Sequence, residues 1–448
     1  KGEGMPLGDR LAWDRMRMDP TDIADITGVT YSYLMNGRTA EENPTFVARA
    51  GQRVRLRIVN ASTMTFFDVR LPGLPMTVVQ ADGQNVRPVE TDELRIGVAE
   101  TYDVVVVPPD ECAYTLFAET MDRSGCARGT LAPRPGMSAP VPEQRRRPML
   151  TMADMGMLHG DHAGMGDHAG MKGGEHEGEA AGSARVDRPS SADGHAGYSG
   201  HAGRSAESEH AGHDHSGHSG HSGHSEPAQH GDHASHAATS HEPAVEAADR
   251  RHGDPLPTEN LPDRVEHGPD GHGPASITMG EVAYRRLDYP GAGLGEDGWR
   301  VLTYSQLRAL ERPYGRRAPT RQFDLHLTGN MHKYVWGFDG KKWSESDLLL
   351  FEYGERLRIN MINDTMMSHP IHLHGMWMDL YAGGTLDDNP RKHTVIVQPA
   401  ELLTVDITAD APGQWAFHCH LLYHMEAGMF RTVAVVRSLE EGPIRAHA

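Results

Sequence analysis

Six histidines, one cysteine and one methionine near the carboxy-terminal end of the chain stand at spacings that suit a transition metal. One segment reads His369-Pro-Ile-His372-Leu-His374-Gly375, and 44 residues beyond His374 comes His418-Cys419-His420, followed by His424 and Met429. In a strand successive side chains point to opposite faces. His372 and His374 then share a face, and His369 has the opposite parity. His418 and His420 share a face while Cys419 looks the other way. If the two segments are adjacent strands, the donors sort into two clusters on either side of one backbone layer. His369, Cys419, His424 and Met429 form one; His372, His374, His418 and His420 form the other. Two imidazoles, a thiolate and a thioether are the donor set of electron-transfer copper, with the methionine as a weak axial ligand. Four imidazoles suit copper that binds oxygen. Cys419 links the clusters covalently, its sulfur only a few bonds from either flanking histidine. Two blander readings compete: a buried thiol between surface histidines, and zinc, which also takes Cys and His. Neither accounts for donors sorted so consistently by parity.

The elements that must hold these donors are strands. Residues 1 to about 145 alternate strand-like runs with Gly, Pro and Asn turns, as in Thr45–Asn60 and Thr101–Val107. Residues 275–440 do the same, with a short helical-looking stretch at Tyr304–Glu311. The two zones read as copies. Gly51-Gln-Arg-Val-Arg-Leu-Arg-Ile-Val-Asn60 lies over Gly354-Glu-Arg-Leu-Arg-Ile-Asn-Met-Ile-Asn363, with the same nine-residue step from Gly to Asn. Ala99-Glu100 corresponds to Ala400-Glu401, and Tyr114–Phe117 to Gln414–Phe417. The expectation is an all-β chain of two duplicated antiparallel Greek-key β-sandwiches, residues 1–145 and 275–440, with a tail at 441–448. Between them, residues 146–274 are dominated by Gly, Ala, Ser, His, Asp and Glu, and include the run His215-Ser-Gly-His218-Ser-Gly-His221-Ser-Gly-His224. So little there can be buried that ordering entropy is not offset, which predicts a disordered His/Met/Gly-rich linker.

Composition narrows the classes. Of 29 histidines, none lies in residues 1–150, 19 fall between His159 and His272, and seven between His369 and His424. The formal charge of −19 argues against nucleic acid, whose phosphates need a Lys/Arg surplus, and favours attraction of cations. No apolar run approaches the ~20 residues of a membrane span. No signal peptide opens the sequence, which starts at Lys1 without Met, so a processed or partial product is expected. Three cysteines are too few for a disulfide scaffold.

The two histidine motifs resemble the third and fourth copper-binding signatures of multicopper oxidases. Members of that family are built from cupredoxin domains and couple one-electron oxidation of a substrate to four-electron reduction of O2 to water. Asn363–Trp377, Arg391–Thr394 and His418–Phe430 are similar, more narrowly, to bacterial periplasmic copper-resistance oxidases, as are Val29–Gly37 and Arg128–Gly136. The resemblance implies cupredoxin-like domains and a copper cofactor. His369, Cys419, His424 and Met429 would ligate type 1 copper, His372 type 2, and His374, His418 and His420 the type 3 pair. It further implies a periplasmic location and Cu(I), or phenolic surrogates, as the reductant. Electrons would enter at the copper held by Cys419 and pass through His418 and His420 to an oxygen-reducing trinuclear centre.

The family's other two signatures, His-x-His-Gly and His-x-His, belong to an amino-terminal domain. The first zone here has no histidine, and Ala118, Glu119 and Thr120 fall where His418, Cys419 and His420 lie. It therefore resembles a copper-free middle domain, with the amino-terminal cupredoxin domain lacking from this chain. The type 1 set is then complete, while four of the eight trinuclear histidines must come from a missing domain or another chain. The alternative is a copper-sequestering periplasmic protein with a blue site and no O2 turnover.

Smaller readings complete the survey. Met149, Met152, Met155, Met157, Met165 and Met171 interleave with His159, His162 and His168. Thioethers select Cu(I), so the stretch reads as a copper collector, with Asp161 and Asp167 adding attraction; a solvated spacer is the competing account. His326 and His332 are expected to be structural. His393 is either a partner orienting a copper ligand or a plain strand histidine. Cys112 and Cys126 could bridge in an oxidising compartment, though a hairpin turning near Arg123 does not pair them. Trp377 and Trp415 suit core or substrate-edge packing.

Overall fold

The computed structural model describes residues 7–16, 19–157, 254–267, 272–273, 276, 280–312 and 316–439. The expected disorder and copper-collecting role of residues 158–253 lie outside the described residues. What is described is nearly all β, in two sandwiches, and belongs to one compact unit. No helix is long and apolar enough to cross a membrane.

The first sandwich packs a four-stranded sheet, in the order Val54–Val59, Thr101–Val106, Met76–Ala81, Gln84–Thr91, against a five-stranded one. The latter runs Thr45–Val47, Cys126–Ala132, Tyr114–Thr120, Phe67–Arg70, Glu93–Ile96. Alternation drives the pairing: in Val54–Val59 the apolar Val54, Leu56 and Ile58 turn inward while Arg55 and Arg57 stay exposed. Val69, Leu94, Tyr102, Val104 and Leu116 fill the space between the sheets.

The second sandwich repeats the plan. A six-stranded sheet contains Arg321–Asn330, Arg356–Asn363 and Leu402–Thr408. It faces a five-stranded sheet of Leu349–Glu352, Phe430–Val436, Gly413–Cys419, His369–Leu373 and Thr394–Val397. Leu357, Ile359 and Met361 are fully buried on the inner face of Arg356–Asn363. The alternate Arg356 and Arg358 are covered too, neutralised by Asp379 at 2.9 Å and Asp406 at 2.7 Å. Pairing is mostly antiparallel; parallel pairs join Thr45–Val47 to Cys126–Ala132, Arg321–Asn330 to Arg356–Asn363, and Leu349–Glu352 to Phe430–Val436.

The duplication extends to single hydrogen bonds. The Asn60 amide donates to the carbonyls of Thr65 and Ile96, and the Asn363 amide to those of Met367 and Val397. Ala99 and Ala400 both take a positive φ, of 68° and 52°, so that the next residue's carboxylate can turn back onto a backbone N–H. Glu100 accepts from Gly97 and Glu401 from Gln398 in this way.

Packing carries the ordered chain past the limits that composition set. Leu150, Met152 and Met155 are buried in an apolar cluster to which both sandwiches contribute, with Met64 and Phe66 from the first and Met366 from the second. Met152 and Met155 are therefore core side chains rather than solvent-facing thioethers, because an unbranched apolar side chain gains more from filling a gap than from hydration. Likewise Arg264–Glu266 pairs with Val282–Tyr284, ahead of residue 275. The stretch Tyr304–Glu311 forms one 3₁₀ turn, Tyr304–Gln306, and leaves it at Leu307 with an extended ψ of 130°. Cys112 and Cys126 are free thiols.

Candidate copper centre

His369–Leu373 and Gly413–Cys419 are adjacent antiparallel strands, with Ile371 opposite Cys419 and His372 opposite His418. After Cys419 the chain turns into the short helix Leu422–Glu426, which brings His424 back over the sulfur. Cys419 Sγ stands 3.6 Å from His369 Nδ1 and 3.9 Å from His424 Nδ1, and the two nitrogens are 3.2 Å apart. An ion with bonds of ~2.0 Å to nitrogen and ~2.3 Å to sulfur, at trigonal angles, needs edges of about 3.5–3.7 Å. All three residues are fully buried, so these donors fit one desolvated metal ion.

Both ring tautomers are set from behind. His424 donates its Nε2–H to Asp25 Oδ2 at 2.7 Å, and His369 Nε2–H donates to Thr365 Oγ1 at 2.7 Å. Each Nδ1 is thereby left with a lone pair toward Cys419. The Thr365 hydroxyl is in turn held against Asn363 Oδ1 at 2.8 Å. Trp336, buried, stacks on His424 with ring centres 3.8 Å apart, and Tyr334 donates its hydroxyl to Asp25 at 3.1 Å. Met429 is buried in the same core, its carbonyl accepting the Cys419 N–H at 3.1 Å and its N–H donating to the His424 carbonyl at 2.9 Å.

Burial moves the titrations in the direction a metal site needs at the imidazoles. It holds His369 well below the usual histidine range, with His424 adding to the effect. It lowers His424 too, against the opposing pull of Asp25. The Cys419 thiol is pushed up by burial, so a metal must displace its proton on binding.

His372, His374, His418 and His420 gather on the other side of the strand pair. His374 Nε2 is 3.1 Å from His418 Nε2, and the His372 ring lies 4.7, 5.6 and 5.7 Å from those of His374, His418 and His420. The His372 Nδ1–H donates to the His393 carbonyl at 2.7 Å, and His418 Nδ1–H to the Cys419 carbonyl at 2.8 Å, so both turn Nε2 outward. Burial pulls His372 down to about 3 and His418 to about 4, and lowers His420. His374 is exposed and His420 half-buried, in contrast to the sealed trio. His393 acts through its backbone carbonyl, its own Nδ1 lying 2.8 Å from Thr394 Oγ1.

The remaining histidines and tryptophans separate. His332 is exposed in a turn, whereas His326 contacts Asp364 at 2.8 Å. Trp415 covers Gly375, whose φ of +74° and lack of Cβ let the ring lie against the backbone, and donates its Nε1–H to the Ala411 carbonyl at 2.8 Å. Trp377 is partly exposed, 6.1 Å from the His393 ring. Sequence reasoning missed Asp25, Thr365, Trp336 and Asp364. Thr365 had a signal in the repeat, since Ser62 holds the same position after Asn60. The others had none.

In the first sandwich Glu119 occupies the place of Cys419, facing Asp68 across the strand pair as Cys419 faces Ile371. It is ion-paired to Arg70 at 2.9 Å, within a buried network that includes Arg123 and Asp68 at 2.5 Å. Its charge is met by fixed cations, and no imidazole stands beside it, since residues 1–150 contain no histidine.

A family model described as multicopper oxidase matches residues 316–438, and a second of the same description matches residues 12–132. Copper resistance protein A of Escherichia coli is 48% identical over 97% of this chain, which covers 64% of that protein. Copper resistance protein A of Pseudomonas syringae pv. tomato is 49% identical over 97% of the chain and 64% of its own length. Multicopper oxidase MmcO of Mycobacterium tuberculosis is 26% identical over 95% of the chain and 54% of its own length. The chain thus spans slightly less than two thirds of the length of the two copper resistance proteins and about half that of the mycobacterial oxidase.

Proposed function

This chain belongs to the multicopper oxidase family, and from that premise we propose that it is the Cu(I)-oxidising part of a periplasmic copper-resistance oxidase that uses O2 as acceptor. Small phenols serve as surrogate reductants. The observation that carries the reading is the sealed trio of His369, Cys419 and His424, with edges of 3.2, 3.6 and 3.9 Å.

Copper bound at these ligands supplies a one-electron couple at the trio and O2 chemistry at the imidazole cluster. His369, Cys419, His424 and Met429 would hold type 1 copper; His372 would hold type 2, and His374, His418 and His420 type 3. The residues around them prepare that chemistry. Asp25 and Thr365 keep each Nδ1 free, Trp336 and Met429 keep the trio dry, and the His393 carbonyl aims His372. His418 and His420, bonded on either side of Cys419, give the shortest covalent route between the clusters.

Within this chain the type 1 set is complete and the type 2/3 set is partial. The remaining imidazoles come from an amino-terminal domain or another chain, in keeping with the exposed His374. A groove of about 820 Å³ on the first sandwich, lined by Tyr33, Phe46, Leu56, Ile58 and Phe67, offers a surface for such a piece. The half set of imidazoles also favours a second reading for this chain alone, copper sequestration with a blue site and no turnover. Oxygen uptake with Cu(I), measured beside copper content and blue absorbance, tests both. Uptake that is lost in Cys419→Ala supports the oxidase; blue absorbance with no uptake, even after the full-length protein is tested, overturns it in favour of sequestration.

A further inference from the structure

A second convergence of metal-ligating side chains lies outside the copper donors. Asp364, on the turn after the strand Arg356–Asn363, is 2% exposed and has three imidazoles against its carboxylate. His326 Nδ1 stands 2.8 Å from Oδ2, His267 Nε2 3.0 Å from Oδ1, and His272 Nε2 3.2 Å from Oδ2. The strand Arg321–Asn330 supplies His326, and His267 follows directly on the strand Arg264–Glu266. Each donor thus comes from a different stretch of backbone.

Hydrogen bonding accounts for only part of the cluster: His326 Nδ1 is bonded to Asp364 Oδ2 at 2.8 Å, but His267 is left out. The His267 side chain is only 5% exposed, yet neither ring nitrogen has a hydrogen-bond partner. Asp364 Oδ1, though 3.0 Å from His267 Nε2, is off the line a hydrogen bond requires and is likewise unsatisfied. Leaving a buried donor or acceptor unpaired carries its full desolvation cost. An ion shared by the two atoms removes that cost at both. Donor atoms of His267, His326 and Asp364 all lie within 4.8 Å of one another, and among the described residues the only other such group is the trio at Cys419.

We propose that His267, His326 and Asp364, with His272 closing as a fourth donor, form a binding site for a divalent transition-metal ion, Cu(II) foremost. The donor chemistry selects the ion. Imidazole and carboxylate without sulfur disfavour Cu(I), and among divalent ions the affinity order peaks at copper. The ring nitrogens stand 2.8–3.2 Å from the carboxylate oxygens, close enough to share one ion, and a nitrogen–oxygen donor set suits Cu(II). The site is separate from the trio, but Asp364 is followed by Thr365, whose hydroxyl contacts His369 Nε2 at 2.7 Å.

Crystals of the full chain soaked in Cu(II), with diffraction collected on both sides of the copper absorption edge, test this. The expected result is an anomalous peak bonded to His267, His326 and Asp364, absent in His326→Gln while the peak among His369, Cys419 and His424 persists. In solution, Zn(II) at about 100 times its Kd should raise the Tm of the metal-free parent by roughly 5 °C. His267→Gln should show a smaller rise, with Zn(II) at His369, Cys419 and His424 supplying the remainder, and the exposed His332→Gln should keep the full rise. No density at the cluster in crystals whose Cys419 site is filled, with the His–Asp contacts unchanged, overturns the assignment. So does a Tm response that is equal in parent and His267→Gln.

Discussion

His424 donates its Nε2–H to Asp25 across 2.7 Å, although the two residues are 399 positions apart in the chain. The bond ties the loop before the first sandwich to the metal-facing helix of the second, and it decides which ring nitrogen looks at Cys419. Removing the carboxylate should loosen the ring and scramble its tautomer. Asp25→Ala is expected to weaken copper binding at the trio 10–100-fold, while Asp25→Asn, whose carbonyl still accepts the bond, should lose much less. Competition against a copper chelator, followed by blue absorbance, measures it.

Cys419 is the sole soft anionic donor of the trio and also a buried core side chain. Cys419→Ala should abolish the blue absorbance. Its cost in the metal-free chain should be no more than about 1–2 kcal/mol, the cost of a small cavity. Urea unfolding of metal-free protein checks the second half. A large loss of stability there would mean that the residue is chiefly structural.

Glu401 has a pH signature of its own. Burial raises its pKa to about 7, against the opposing pull of the Gln398 N–H, Arg286 and Arg285. A folded-state pKa above the unfolded value of about 4.5 means that the folded chain holds the proton longer. Stability from this group is fully present below pH 4.5 and is lost as pH rises toward 7. Glu401→Gln, which can still accept the Gln398 N–H, should therefore stabilise the protein by up to about 3 kcal/mol at pH 8 and hardly at all at pH 4.5. Thermal melts of both proteins across that range decide it.

Lys392 joins the sandwiches. Its ammonium, fully buried, lies 3.0 Å from Asp82 and 3.0 Å from Glu100, both in the first sandwich. Burial alone would lower its pKa, and the two carboxylates more than offset that. Lys392→Met leaves two desolvated anions facing each other and should cost about 3–5 kcal/mol. Adding Asp82→Asn and Glu100→Gln should recover most of the loss; if it does not, apolar packing of the lysine stem matters more than its charge.

Two kinds of information are separable in this molecule. The all-β class, the duplicated sandwich and the gathering of donors around Cys419 follow from local rules. The period of two along a strand is set by covalent geometry, so the spacing His369-x-x-His372-x-His374 already sorts its side chains before any partner strand is known. The Gly-to-Asn repeat was legible for a similar reason, since each Asn must hold the same two carbonyls. The roles of Asp25, Trp336 and Asp364 had no such periodicity to betray them. Nor could composition tell that Met152 and Met155 leave a His/Met-rich stretch to fill a core. Those outcomes rest on which surfaces meet after the chain has closed loops hundreds of residues long. A carboxylate, an indole or a thioether acquires its role only from the neighbours that burial forces upon it.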